Sequence, residues 1–254
     1  MTTKSEALSG GPPRVLVLGS GFGAFSFLKH VDHRRYAVTV VSPRNHFLFT
    51  PLLPSTTVGT VEFRSIIEPV RLANRRLEFF QAHAVGVDLD NRVLHCEGTF
   101  QGRPFDLPYD ELVIAVGAVS HTFGVPGVEE HAYFLKELSD ARNIRQKIIE
   151  CFERAAQPGR ETGEISDLLR FVVVGGGPTG VEFAAELHDF VTRELRRWFP
   201  RLYREAAIVL VEAQNEILTS FDRKLSAYAK AHFLHSGIEV RTQTAVKAVH
   251  VECV

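Results

Sequence analysis

Two stretches of this sequence carry glycines at a spacing that admits a pyrophosphate: Gly19-Ser-Gly21-Phe22-Gly23-Ala24 and Gly175-Gly-Gly177-Pro178-Thr179-Gly180. In such a turn the first glycine permits a tight bend and the second lets the backbone approach the phosphates. The small third residue, Ala24 or Gly180, lets the next helix pack closely on its strand. The helix that opens there presents unpaired backbone N–H groups and the positive end of its dipole. One such turn can arise for structural reasons alone; two in strand-turn-helix context point to nucleotides.

The residues that read the ribose differ between the copies. Glu212 directly follows the apolar run Ile208 to Val211, placed to accept hydrogen bonds from a ribose 2′-OH and to repel a 2′-phosphate, which favours NADH over NADPH. Its distance from Gly175 exceeds the usual ~20 residues, as a long helix and a loop from Trp198 to Glu205 would require. An exposed strand-end glutamate is the alternative reading. The equivalent place in the first copy holds Ser42-Pro43-Arg44 and no carboxylate. Arg44 can pair with a phosphate or stack on adenine, which leaves FAD and other nucleotides open there.

The elements that must position these residues follow from hydrophobic period. Arg14 to Leu18 and Tyr36 to Val41 read as buried parallel strands around a helix marked by Phe25, Leu28 and Val31. Pro43, Pro51 and Pro54 make an irregular loop the expectation between Ser42 and Thr60. Glu62 to Asn74 has helical spacing that Pro69 interrupts, Leu77 to Leu107 reads as an antiparallel meander, and Leu112 to Val116 is a buried strand stopped at Gly117. Leu138 to Ala155 is helical and Gln157 to Asp167 a polar linker. Phe171 to Val174, a helix from Val181, and Ile208 to Val211 then repeat the first unit, with late strands expected at 237–244 and 246–251. The expected fold is α/β, two Rossmann-like domains with parallel central sheets and small antiparallel meanders. A disordered leader covers 1–13, a first nucleotide domain 14–120, and a second 121–254.

Across 254 residues the net charge is -1 and 45% of residues are hydrophobic, which gives no bulk attraction to nucleic acid. Cys96, Cys151 and Cys253 are too dispersed for a disulfide scaffold or a zinc site, and an intracellular, reducing setting fits them. No metal is expected, because the histidines lack a His-Glu-x-x-His pattern. Residues 1–13 have neither a signal-peptide h-region nor a transit-peptide pattern, and no run of about 18 apolar residues occurs.

The string from Ser42 through Thr50-Pro51-Leu52 to Thr60, followed by Ser65-Ile-Ile-Glu-Pro69, closely resembles the type II (alternative) NADH:quinone oxidoreductases of the pyridine nucleotide-disulfide oxidoreductase superfamily. Tyr109-Asp110 leading to Ala115-Val-Gly-Ala118, Phe123 to Val128, and Gly175 to Leu187 add to the likeness. The resemblance implies FAD on the first turn and NADH on the second, with Thr50, Pro51 and Leu52 by the FAD and Gly117 closing its domain. It places Glu182 near the nicotinamide and flavin rings, although a glutamate there can also simply offset the helix dipole. Hydride would pass to the flavin and two electrons on to a membrane quinone, without proton pumping. The Cys-x4-Cys pair of related disulfide reductases is absent, so no thiol relay is expected.

The resemblance further implies peripheral attachment to the cytoplasmic face of a bacterial membrane or to a mitochondrial inner membrane, and admits a homodimer. Members of that group continue past the position of Val254 with a returning FAD segment and amphipathic C-terminal helices, so the chain reads as C-terminally truncated. Two rival readings share the glycine turns: a flavin-dependent NADH reductase serving an iron–sulfur partner or oxygen, and a catalytically silent nucleotide-binding remnant.

Overall fold

A computed structural model describes residues 11–251; residues 1–10 of the expected leader, and Cys253, lie outside them. Chain contacts divide it into two units, one of residues up to Phe49 with Ile67–Val119, the other of Thr50–Ile66 with residues from Ser120 onward.

In the first unit, β1 (Arg14–Leu18), α1 (Phe22–His30) and β2 (Ala37–Ser42) form the expected βαβ unit. A short β3 (His46–Leu48) then pairs antiparallel with β4 (Ile67–Pro69). β5 (Glu78–Asp88), β6 (Val93–Gly98), β7 (Pro104–Pro108) and β8 (Glu111–Ile114) complete a sheet in the order β7-β6-β5-β2-β1-β8. One long strand joins parallel sheet to meander: β5 runs parallel to β2 over Glu78–Gln81, then antiparallel to β6, with a bulge between Ala84 and Gly86. Alternation along β1 buries both faces of the sheet. Val15 and Val17 pack with Ala24, Leu28, Val38 and Val40, whereas Leu16 and Leu18 pack with Val41, Ala82, Leu94 and Tyr109.

Arg14 ties the start of β1 to β8, since its backbone N–H (2.7 Å), Nε (3.1 Å) and Nη2 (3.0 Å) all donate to Asp110. These hydrogen bonds hold the Asp110 carboxyl down at about 2. Both groups remain solvent-exposed, so the pair contributes register more than stability.

In the second unit, α2 (Leu53–Val58), α3 (Val128–His131), α4 (Leu138–Ala155) and α5 (Thr162–Leu168) precede β9 (Arg170–Val174) and α6 (Pro178–Asp189). After α6 come a π-helical turn (Phe190–Leu195), α7 (Arg196–Trp198), β10 (Ala207–Val211), α8 (Arg223–Ser236) and β11 (Glu239–Arg241). The sheet is parallel throughout, in the order β11-β10-β9. Phe152 of α4, Leu187 of α6, Leu195 of the π-turn and Leu210 of β10 are fully buried in one cluster.

Five segments differ from expectation. The strand expected to be buried over Leu112 to Val116 is β8 (Glu111–Ile114), with Ile114 and Val116 exposed. Leu53–Val58 is helical where a loop was expected, because Pro54 sits in the first turn, where its missing N–H costs nothing. Gly59, at φ 91°, ends that helix. The Glu62 to Asn74 helix does not form: Pro69 closes β4, and single 3-10 turns flank it at Phe63–Ile66 and Val70–Leu72. The polar linker contains α5, which starts with a capping box in which Glu164 Oε2 accepts the Glu161 N–H at 3.1 Å. Residues 246–251 form no strand, although the Val249 N–H reaches the Pro126 carbonyl at 2.9 Å. Among the described residues no helix is long and apolar enough to cross a membrane.

Candidate functional site

β1 leads directly into Gly19, whose φ of 106° belongs to the region glycine tolerates. A Cβ there would lie 2.2 Å from the Ala115 carbonyl oxygen, so only glycine fits between β1 and the segment after β8. Gly21 is the N-cap of α1, with extended backbone and no side-chain cap, and a Cβ on it would meet nothing within 4 Å. That open cradle over uncapped N–H groups is what an approaching anion requires. Ala24 is fully buried behind the turn, a Cβ on Gly23 would lie 3.7 Å from Ala115 Cβ, and Phe22 is exposed.

At the end of β2, buried Ser42 and Ser20 share a hydroxyl hydrogen bond of 3.1 Å. Arg44 Nε donates to the His46 carbonyl at 3.1 Å and to Ser20 Oγ at 3.4 Å, which ties its side chain to the turn, while Pro43 is exposed. Ser20 was not singled out in the sequence; its place between two turn glycines is the signal that could have found it. Gly117 is exposed at φ 74°. Thr50, Pro51 and Leu52 form a 3-10 turn that packs in the second unit.

The second turn repeats the logic with tighter packing. Gly175 has φ 108°, and Gly177 is the uncapped N-cap of α6 with open space where a Cβ would be. Pro178 and Thr179 occupy the first helical positions, where proline loses no hydrogen bond. A Cβ on Gly180 would stand 2.0 Å from the Gly175 carbonyl oxygen, so the third glycine lets α6 start against the turn.

Glu212 directly follows β10, beside this turn. Its Oε2 accepts the Gly176 N–H at 2.6 Å and its Oε1 accepts the Gln214 N–H at 2.7 Å. Each oxygen keeps lone-pair capacity for a further donor, and the carboxylate is fixed at the glycine turn itself. Gly176 is the residue that spacing alone missed: a Cβ there would lie 2.8 Å from Ile217 Cγ2 and 3.0 Å from Glu212 Oε2.

Glu182 lies on α6 past the first turn, solvent-accessible at the rim of a pocket of about 490 Å³ that also includes Glu186, His188 and His232. Burial by neighbouring packing, and secondarily the charge of Glu186, push its carboxyl above the ordinary glutamate value. Burial pushes the Cys96 thiol to about 11, which removes it from thiolate chemistry. Among the described residues no cluster of His, Cys, Asp and Glu is arranged to hold a metal ion.

The chain is 51% identical over 240 residues to a probable NADH dehydrogenase of Dictyostelium discoideum, an alignment that covers 93% of this chain and 53% of that protein. It is 49% identical to the external alternative NAD(P)H-ubiquinone oxidoreductase B4, mitochondrial, of Arabidopsis thaliana, over 93% of this chain and 42% of the relative. The solved structure of NDH2 from Plasmodium falciparum in complex with NADH matches with a TM-score of 0.92 at 34% identity, covering 95% of this chain and 50% of that one. The chain thus spans about half the length of the curated relatives it matches. The model of the pyridine nucleotide-disulphide oxidoreductases matches residues 13–253, and the chain belongs to that family.

Proposed function

We propose that this chain is the nucleotide-binding part of a type II NADH:quinone oxidoreductase. The observation that carries the reading is the Glu212 carboxylate fixed on the Gly176 N–H, beside a glycine turn whose Gly177 leaves room for a phosphate. Gly175, Gly177, Pro178, Thr179 and Gly180 would hold the pyrophosphate of NADH, and Glu212 the adenosine ribose. The first turn fits a flavin dinucleotide by the same test, an uncapped helix start under an open Gly21. Gly19, Gly21, Phe22, Gly23, Ala24, Ser42, Pro43, Arg44 and Gly117 are assigned to it, with Thr50, Pro51 and Leu52 added on the resemblance.

When bound, FAD supplies hydride acceptance from NADH and two-electron delivery to the quinone. The net change is NADH + H⁺ + quinone → NAD⁺ + quinol, so one proton is taken up per turnover. Glu182, accessible and with its carboxyl raised, is the group assigned to handle it. Mitochondrial placement belongs to the same reading on the relatives' names, and membrane attachment and a homodimer belong to it on the resemblance alone.

The test supplies the FAD-loaded protein with NADH and, side by side, a soluble quinone, oxygen and an iron–sulfur protein. Quinone is expected to be much the fastest acceptor. A protein that neither carries nor takes up flavin, or that prefers another acceptor, overturns the reading. Glu212→Gln removes the charge facing a 2′-phosphate and is expected to narrow the preference for NADH over NADPH by about tenfold, roughly 1.4 kcal/mol. Parallel titrations of the two nucleotides check it, and an unchanged ratio would remove Glu212 from the specificity role.

A further inference from the structure

Glu186 stands one helical turn beyond Glu182 on α6, and both line the same pocket. Its carboxylate is held from outside the helix. Ser55 of α2 donates its hydroxyl to Oε1 at 2.6 Å, and Thr60, just past Gly59, donates to Oε2 at 2.7 Å. Two neutral donors fix the group without cancelling its charge, which an arginine or lysine partner would have done.

The cations nearby are otherwise engaged. Arg193 pairs with Asp189 at 3.1 Å, and Arg145 of α4 lies 3.8 Å from Glu194 with its guanidinium 4.5 Å from the Phe190 ring. Arg145 also donates to the Val58 carbonyl at the end of α2, which anchors the segment that carries both hydroxyls. His188 and Asp189 from α6, Arg193 and Glu194 from the π-turn, and His232 from α8 are the remaining charged or titratable groups around the pocket; α2 and Thr60 contribute only neutral ones. The π-turn itself continues α6 along this wall, a local irregularity that recurs at functional sites.

We propose that Glu186 is a positioning residue: fixed by Ser55 and Thr60 one helical turn from Glu182, its charge disfavours ionisation of the Glu182 carboxyl. α2 and α6 together then place, in one pocket, a carboxyl biased toward holding the proton that the reaction consumes. The role in turnover rests on the function proposed above; the coupling between the two carboxyls does not. It also gives the helix at Leu53–Val58 a task separate from nucleotide contact, since Ser55 and Thr60 act only through Glu186.

The test follows the carboxyl carbon of Glu182 by NMR through a pH titration of the wild-type protein, of Glu186→Gln, and of the double variant Ser55→Ala/Thr60→Ala. Glu186→Gln is expected to move the Glu182 midpoint down toward the ordinary glutamate value. The double variant is expected to move it the same way by less, because the unheld carboxylate turns toward solvent. NADH affinity, titrated on the same samples, should stay within about twofold of wild type. In the flavin-loaded enzyme the alkaline limb of kcat should shift down with the midpoint. A Glu182 midpoint unmoved in both variants, or variants that lose stability and nucleotide affinity without moving it, overturns the proposal. Wild-type protein that binds no NADH overturns the functional reading alone, because the carboxyl titration needs no nucleotide.

Discussion

Gly180→Ala is expected to cost the second turn its nucleotide, weakening NADH by roughly a hundredfold. The added methyl would fall 2.0 Å from the Gly175 carbonyl oxygen and 3.2 Å from its carbon. Those are backbone atoms of the turn itself, so no side chain can swing aside. Either α6 withdraws or the turn opens, and both carry the α6 N–H groups away from the phosphates. Overpacking of this kind costs about 3 kcal/mol, which at 1.4 kcal/mol per decade is about two orders of magnitude in affinity. Gly177→Ala provides the contrast: its backbone has φ -74° and open space around the Cβ, so the fold should tolerate it. The methyl would instead occupy the phosphate's approach. Loss of NADH with an unchanged melting temperature in Gly177→Ala, and loss of both in Gly180→Ala, is the expected pair of results from fluorescence titration and thermal unfolding. Wild-type affinity in Gly180→Ala would mean that the turn does not hold the nucleotide.

Gly19→Ala acts on folding more than on binding. Two costs coincide there, a backbone at φ 106° and a Cβ 2.2 Å from the Ala115 oxygen. Left-handed strain in a non-glycine residue is worth about 1–3 kcal/mol, and overpacking adds a similar amount. The clash also pushes the chain after β8 away from β1, whose Leu18 carbonyl accepts the Ala115 N–H at 2.9 Å. A fall of roughly 10 °C or more in melting temperature is expected, at about 2–4 °C per kcal/mol for a chain of this size. Differential scanning calorimetry reads it, and a change below about 2 °C would show that β1 and the residues after β8 are not locked at this glycine.

Much of this was legible because short-range chemistry and tertiary need coincide. β1, α1, β2, α4, β9 and β10 fall where apolar period placed them, and both glycine turns sit between strand and helix as their spacing required. The Thr50–Ile66 segment was not legible in this way. Pro54 reads as a breaker unless a helix starts one residue earlier, and the hydrogen bonds that hold α2 come from Glu186 and Arg145, far away in sequence. The residues around Pro69 failed for the opposite reason, since a true helical period there is overridden when β4 pairs with β3. At the site, Glu212 could be picked out by its place after a buried strand, whereas its bond to the Gly176 N–H could not. That contact depends on the loop after β10 turning back toward β9, where the Leu218 N–H meets the Gly176 carbonyl at 2.7 Å. Likewise the Glu182–Glu186 spacing is visible in the sequence, but the two hydroxyls that fix the second glutamate are not.

Everything proposed for the chemistry rests on the second turn being an NADH site read by Glu212. Titrating NADH and NADPH in parallel into the purified wild-type protein tests this most directly. The predicted result is saturable binding of NADH, at least about tenfold tighter than NADPH, as a carboxylate opposed to a 2′-phosphate requires. Equal affinities, or no binding of either nucleotide, would contradict it.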